Sequence, residues 1–297
     1  MRIRAGYLEV LACTLTWGTI GSIVKHVDVP AAVIVFVRLI LGFVVVVGYM
    51  AVRGRLAQLR PGARPWLLAS TGVVLAAHWV LLFEAFQRLT VASTILIVYL
   101  GPVLMAVAAP FVLRERLRAV SVGALALAFG GIALIAVPDL GGIDRLGLAF
   151  ALCSAVLFAL LMLVGKILSG HYEPAAIVVW QLGVAALVLT PALAQARATD
   201  LRSNAPVLLL LGVVHSGILG IVFFHAMRAL QAQQLGVLLY LEPASAVLYA
   251  WWLLGERPGL NTFAGGVLIV AAGIIIILGD RVTAVSAGAS APAVEVT

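Results

Sequence analysis

YLGPVLMAVAAPFVLRER (99–116) and YLEPASAVLYAWWLLGER (240–257) share one pattern at two places in the chain. Sliding the sequence along itself by 141 residues lays Tyr99 on Tyr240, Pro102 on Pro243, Glu115 on Glu256 and Arg116 on Arg257. The same shift, carried outward, lays Gly6 on Gly147, Trp17 on Phe158, Lys25 on Lys166, Phe83 on Phe224, Ala85 on Ala226 and Leu89 on Leu230. After a three-residue slip, PAAVIVF (30–36) falls on PAAIVVW (174–180). Matches at one offset along most of the chain mean an internal repeat, with halves over residues 1–140 and 141–280 and a small-residue tail over 281–297 expected to be disordered.

The repeat is embedded in hydrocarbon-like sequence. Of 297 residues, 64% are hydrophobic and 10% charged, a composition outside the range of soluble domains. Apolar stretches recur at 7–25, 30–52, 66–86, 90–113, 119–137, 146–166, 174–195, 205–227, 233–254 and 260–279. Each suits a helix crossing ~30 Å of bilayer core. Ten stretches in two halves give five per half. Because five is odd, the halves enter the membrane in opposite orientations, the inverted arrangement found in alternating-access transporters. The expected fold is therefore an all-α polytopic membrane protein of ten transmembrane helices in two inverted five-helix repeats.

The formal charge of +7 comes without a basic stripe or RNA-binding motif, which argues against nucleic acid as a partner. With the N-terminus inside, Arg2, Arg4, Arg53, Arg55, Arg60, Arg64, Arg114, Arg116, Arg118, Lys166, Arg228 and Arg281 face the cytoplasm. These are twelve, against six outside: Lys25, Arg88, Arg145, Arg197, Arg202 and Arg257. This asymmetry predicts both termini in the cytoplasm of a cell-membrane protein. The first apolar stretch lacks a small-residue cleavage site and takes part in the repeat, so it reads as a mature helix. Cys13 and Cys153 lie inside predicted spans, which argues against a disulfide framework and a zinc site. HExxH, GxSxG and Walker sequences are absent, so neither enzymatic chemistry nor a cofactor is expected, and transport would draw on a gradient.

With Trp17-Gly18 in the first span, Pro102 followed by Glu115-Arg116, and Pro243 followed by Glu256-Arg257, the chain resembles the EamA-type members of the bacterial drug/metabolite transporter superfamily. The second half departs from the pattern, carrying Phe158-Ala159 in place of Trp-Gly. The resemblance implies a ten-helix exporter whose central cavity is lined by the first, third, fourth, sixth, eighth and ninth spans.

Depth within each span then selects candidates for binding. Trp17, His78, Trp79, Tyr99, His215, Tyr240 and Glu242 fall near the midplane. Glu242 is the single carboxylate at that depth, where a charge costs about 2.5–3.5 kcal/mol to insert and by default faces a cavity or partner. Its repeat counterpart is Gly101, so the scaffold itself does not need the acid. Pro102 and Pro243 deny a hydrogen bond to the carbonyls of Val98 and Leu239 and mark two kinks, candidates for gating or substrate binding. Glu242, Ser245 and Tyr249 share one face and predict a polar, inward wall. His78 and His215 suit proton relay or packing; the aromatic residues suit stacking on a cation or ring, or plain filling.

Lys25 and Lys166 read as snorkelling side chains, and the two Glu-Arg pairs as interfacial. Glu84 and Arg88 read as a local ion pair, and Glu9, near the inner interface, needs no special account. Arg38, eight residues into its span, lies too deep to snorkel and needs a carbonyl or an acid. The expected activity is export of a small metabolite or amino acid, by exchange with protons at Glu242. Multidrug efflux of lipophilic cations is the alternative. Partners are membrane lipid, the small-molecule substrate and protons, in a monomer or homodimer.

Overall fold

The computed structural model describes residues 2–24, 27, 29–62, 64–89, 91–115, 118–136, 144–255 and 259–289. Lys25, Arg116, Glu256 and Arg257 lie outside the described residues, as do positions 290–297 of the tail. The first half comprises α1 (Arg2–Trp17), α2 (Thr19–Val24), α3 (Ala31–Val52), α4 (Pro65–Arg88), α5 (Val91–Val98), α6 (Leu100–Val112) and α7 (Ala119–Ala136). The second comprises α8 (Arg145–Ser169), α9 (Pro174–Val188), α10 (Ala198–Ser203), α11 (Ala205–Leu209), a π-helical stretch Leu210–Ile218, α12 (Leu219–Ala229), α13 (Ala232–Leu239), α14 (Leu241–Leu254) and α15 (Leu260–Ala289). Every described element is helical. Grouping α1 with α2, α5 with α6, α11 with the π stretch and α12, and α13 with α14 gives ten membrane-crossing units.

Among the described residues, five windows are long and apolar enough to cross a bilayer, at 32–52, 65–82, 145–169, 205–229 and 232–253. Most of the others are shorter because helices break or end early, which is where backbone groups become available for function. Large apolar side chains such as Phe111, Trp252, Leu260 and Phe263 point outward, as a hydrocarbon solvent permits.

The helix pairing is that of an inverted repeat. The third span of each half packs on the first span of the other, α4 on α8 and α12 on α1. The fourth spans do likewise, α5 and α6 on α8, α14 on α1 and α2. The fifth spans, α7 and α15, pack on each other. Residues related by a pseudo-twofold axis can touch only on that axis. Tyr99 and Tyr240, one repeat offset apart, do so: their ring centroids are 5.5 Å apart and the Tyr240 hydroxyl donates to the Tyr99 carbonyl at 2.5 Å.

Several charged ends depart from the sequence-based expectations. The Lys166 ammonium donates to the carbonyls of Met227 and Leu230 instead of snorkelling. Those carbonyls end α12 and have lost their helical partners, so a cation there is favoured. Glu115 accepts from the Ala232 N–H at 2.8 Å, capping the start of α13 across the repeat boundary. Glu9, near the inner interface, lies 2.9 Å from His225 Nδ1. Arg88 and Glu84 do pair, at 3.9 Å. The last helix runs through Ala289.

Candidate substrate site

Three breaks face one another near the centre of the bundle. α5 stops at Val98 and α6 restarts at Leu100; α13 stops at Leu239 and α14 restarts at Leu241. In both places the break falls at the carbonyl that the following proline, Pro102 or Pro243, leaves without its donor. The third break, between Trp17 and Thr19, has Gly18 at its turn. A Cβ on Gly18 would lie 2.0 Å from Ser245 Oγ, 2.9 Å from the Ala246 nitrogen and 3.0 Å from the Glu242 carbonyl oxygen. The missing side chain therefore lets the backbone of the first span rest directly on the start of α14.

That close approach also decides the role of Ser245. Its hydroxyl donates to the Glu242 carbonyl at 2.8 Å and lies 3.2 Å from the Thr14 carbonyl, and the side chain is buried. It fastens α14 to α1. The expected polar stripe of Glu242, Ser245 and Tyr249 is thus not a continuous wet wall, because Ser245 is consumed in helix contact.

Around Glu242 the side chains come from both halves. The Tyr99 hydroxyl donates to the Glu242 carboxylate, and the Arg38 guanidinium interacts with the same carboxylate through charge. Arg38 is held from two further sides. Its Nε donates to Ser216 Oγ at 2.9 Å, and its Cζ sits 4.5 Å from the Trp79 ring centroid in a cation–π contact. Since its partners are on α4 and the π stretch, it faces the bundle interior, as an intramembrane charge must.

The π winding of Leu210–Ile218 positions the next members. His215 Nδ1 lies 3.2 Å from the Leu210 carbonyl, and Ser216 Oγ donates to the Leu211 carbonyl at 3.1 Å, each five residues back as the wider turn dictates. His215 Nε2 lies 3.0 Å from Thr19 Oγ1, just past the first-span break. The Trp17 indole N–H donates to the His215 carbonyl at 2.9 Å, and its ring meets Phe223 edge-on at 5.2 Å. Trp17, Arg38, Trp79 and Glu242 are each partly accessible, whereas Tyr99, His215 and Tyr240 are buried.

His78 is turned away from this group. Its Nδ1 lies 3.0 Å from the Ser154 carbonyl and 2.9 Å from the Ser154 hydroxyl. The ring stacks on Phe158 at 5.4 Å and 15°. Phe158 in turn meets Tyr99 at 6.3 Å, so His78 supports the site from behind, through the sixth span. Arg38 belongs to the centre, although it stands outside the aromatic, histidine and Glu242 set that depth selects. Its sequence signal was its depth. Among the described residues no group of three acidic, histidine or cysteine side chains is placed to hold a metal.

The EamA-like transporter family model matches this chain twice, over residues 4–137 and 145–279. The chain belongs to the EamA-like transporter family. Relatives of this EamA-like protein span its length. The transporter YxxF of Bacillus subtilis (strain 168) is 27% identical over 272 residues, covering 89% of this chain and 86% of the relative. The pseudopaline exporter CntI of Pseudomonas aeruginosa is 28% identical over 279 residues, covering 92% of this chain and 96% of its own. A solved crystal structure of 20% identity superposes with a TM-score of 0.80, covering 94% of this chain and 98% of its own. The fold is therefore that of a membrane transporter. The side-chain cluster around Glu242 takes in the second span through Arg38, a span outside the six that the family resemblance implied.

Proposed function

We propose that this chain is a secondary exporter of a small amino-bearing metabolite across the bacterial plasma membrane, driven by exchange with protons at Glu242. The observation that carries the reading is the position of that acid: beside two helix breaks, within reach of Tyr99 and Arg38 from facing helices, and partly accessible inside an otherwise apolar bundle. One carboxylate can hold a proton or an ammonium, but not both at full strength. An arriving cation displaces the proton, and a returning proton releases the cation, so exchange needs no separate coupling path. The aromatic faces of Trp17 and Trp79 flank the place where the cargo would lie. The CntI relative, named an exporter, supports the outward direction. The alternative, efflux of lipophilic cations, would use the same acid and aromatic residues and fits Trp79 well.

Reconstituted protein in proteoliposomes under an imposed pH gradient tests the reading. Glu242→Gln mimics the protonated acid at nearly constant volume and is expected to insert normally yet lose proton-driven transport. Glu242→Asp is expected to keep part of it. Wild-type rate and pH dependence in Glu242→Gln, at equal membrane expression, would make the residue structural and move coupling to His215 or His78.

Orientation belongs to the same proposal. Both termini and the Arg53–Arg64 loop face the cytoplasm, a placement supported by the arginine asymmetry. A cysteine replacing Gln58 is expected to react with an impermeant maleimide only in inverted vesicles. Labelling from the outside of intact cells would reverse the assignment.

A further inference from the structure

Away from the centre, the loop between α3 and α4 carries four arginines and no acid. Arg53, Arg55, Arg60 and Arg64 fall close together, and no Asp or Glu occurs between Asp28 and Glu84. All four side chains are exposed, and among the described residues none of them makes a hydrogen bond or an ion pair with the protein. Glu173, on the turn that the loop rests on, is already paired with Arg228 at 3.7 Å.

The loop is pinned from the second half of the chain. On α9, the Trp180 indole N–H donates to the Leu59 carbonyl at 2.9 Å. On the turn between α8 and α9, the Tyr172 hydroxyl donates to the Pro61 carbonyl at 2.8 Å and accepts from the Arg64 N–H at 3.0 Å. Gly62, at φ +58°, lies so near the Tyr172 ring that a Cβ would come within 3.1 Å of Cε1. Backbone groups make all of these contacts, so the guanidinium groups stay available on a fixed support.

The apolar neighbours set the depth of this support. Val52 is 89% exposed and Trp66 69%, and Tyr49 and Leu56 are exposed too. Exposed Tyr and Trp at the ends of spans mark the headgroup layer of a bilayer. The Arg53 Cζ lies 6.0 Å from the Tyr49 ring centroid, which puts charge and aromatic ring in that same layer. A soluble anion would satisfy the arginines and leave Val52, Leu56 and Trp66 in water. A phospholipid satisfies both, with phosphate on the arginines and acyl chains on the apolar side chains. The corresponding loop of the second half, between α9 and α11, differs: Asp200 stands between Arg197 and Arg202.

We infer that the α3–α4 loop is a binding surface for the headgroup of an anionic phospholipid, whose phosphodiester is taken by Arg53, Arg55, Arg60 and Arg64. Positive charge that served only to orient the chain during insertion would need neither a pinned backbone nor exposed apolar neighbours. The assignment to the inner leaflet rests on the orientation proposed above; the binding itself does not depend on Glu242. Because the loop of one half is laid on the α8–α9 turn of the other, a lipid seated there braces that contact and raises thermal stability.

Full-length protein in a neutral detergent tests this, titrated with phosphatidylglycerol, phosphatidylcholine or inorganic phosphate. Native mass spectrometry reads the affinity of the first lipid, and a melting assay reads the thermal midpoint. Each arginine beside an anionic surface adds about fivefold, so phosphatidylglycerol is expected to bind at least about tenfold more tightly than phosphatidylcholine and to raise the midpoint. Arg55→Gln combined with Arg60→Gln is expected to weaken phosphatidylglycerol at least about fivefold and to leave phosphatidylcholine unchanged. Arg197→Gln combined with Arg202→Gln removes the same charge from the other face and is expected to keep the preference. If the first pair does not purify, Arg60→Gln alone is expected to show a loss of about fivefold.

Equal affinity for the two lipids overturns the inference and leaves the surface to a protein partner or to insertion alone. A preference that survives loss of Arg55 and Arg60 overturns it, as does one that falls equally in the Arg197 and Arg202 variant, where net charge would be the cause. Inorganic phosphate that raises the midpoint as far as phosphatidylglycerol also overturns it, in favour of a soluble anion.

Discussion

At position 242 the second half carries a carboxylate; at the equivalent position 101 the first half carries a glycine with no room for anything else. A Cβ on Gly101 would lie 2.7 Å from Phe158 Cδ1 and 3.1 Å from the Ala155 carbonyl oxygen. The mirror contact is reversed. Trp17, the counterpart of Phe158, precedes a break, and Gly18 lets the first span pass close to the Glu242 backbone while the acid side chain turns inward. In the second half α8 runs unbroken through Phe158-Ala159, and Phe158 fills the place where a second site would be. The same asymmetry extends outward: Arg38 faces Leu182 in the alignment, and Trp79 faces Gly220. What the halves share is the pair of tyrosines on the axis and the proline three residues after each. The repeat thus supplies two broken helices, and the departures from it supply one candidate site.

The sharpest way to break this comparison is to fill Gly18. Gly18→Leu places a branched side chain where even a methyl would collide with Ser245 and the Ala246 backbone, so it is expected to abolish transport and to lower stability by at least about 1–3 kcal/mol. Transport assay and thermal midpoint of the purified protein check both parts. Normal transport would mean that the first-span break does not set the site. Gly101→Ala comes next. The Phe158 ring must move aside, at a cost of about 1–3 kcal/mol, yet the Glu242 side keeps its geometry, so transport is expected to fall less than stability does. A transport loss as complete as that of Gly18→Leu would erase the difference between the halves. Tyr240→Phe is the mildest. It removes the hydroxyl on the Tyr99 carbonyl, worth about 0.5–1.5 kcal/mol, and leaves the Tyr99 hydroxyl on Glu242 in place. A small fall in thermal midpoint with near-normal transport is expected; loss of proton coupling would show that the axis contact belongs to the cycle.

The architecture was legible because repeats and apolar run lengths are long-range, redundant signals. Glu242 stood out for a similar reason, since an acid in hydrocarbon has few explanations. The proline breaks could be placed to within a residue because the lost hydrogen bond has a fixed address. Direction of side chains was harder to read. His78 and Trp79 are neighbours in sequence and both near the midplane, but successive helical residues point about 100° apart, so one meets Ser154 on α8 and the other meets Arg38. The π stretch that sets His215 and Ser216 has no composition of its own, being an ordinary apolar helix with a wider turn. Ser245 was misread because a hydroxyl on an inward face suits a wet wall and a dry helix contact equally, and only the proximity of Gly18 distinguishes them.

The tyrosine pair on the axis carries a further consequence. In an assembly of two identical five-helix chains, any change at one wall is copied onto the other, so a single acid could only arrive as two, facing each other across the same seam. Like charges so placed oppose each other's ionisation and would have to share one proton. Joining the halves in one chain removes that constraint. Tyr240 can spend its hydroxyl on a carbonyl while Tyr99 spends its own on Glu242, two different uses of one inherited residue that no pair of identical subunits could hold under strict symmetry.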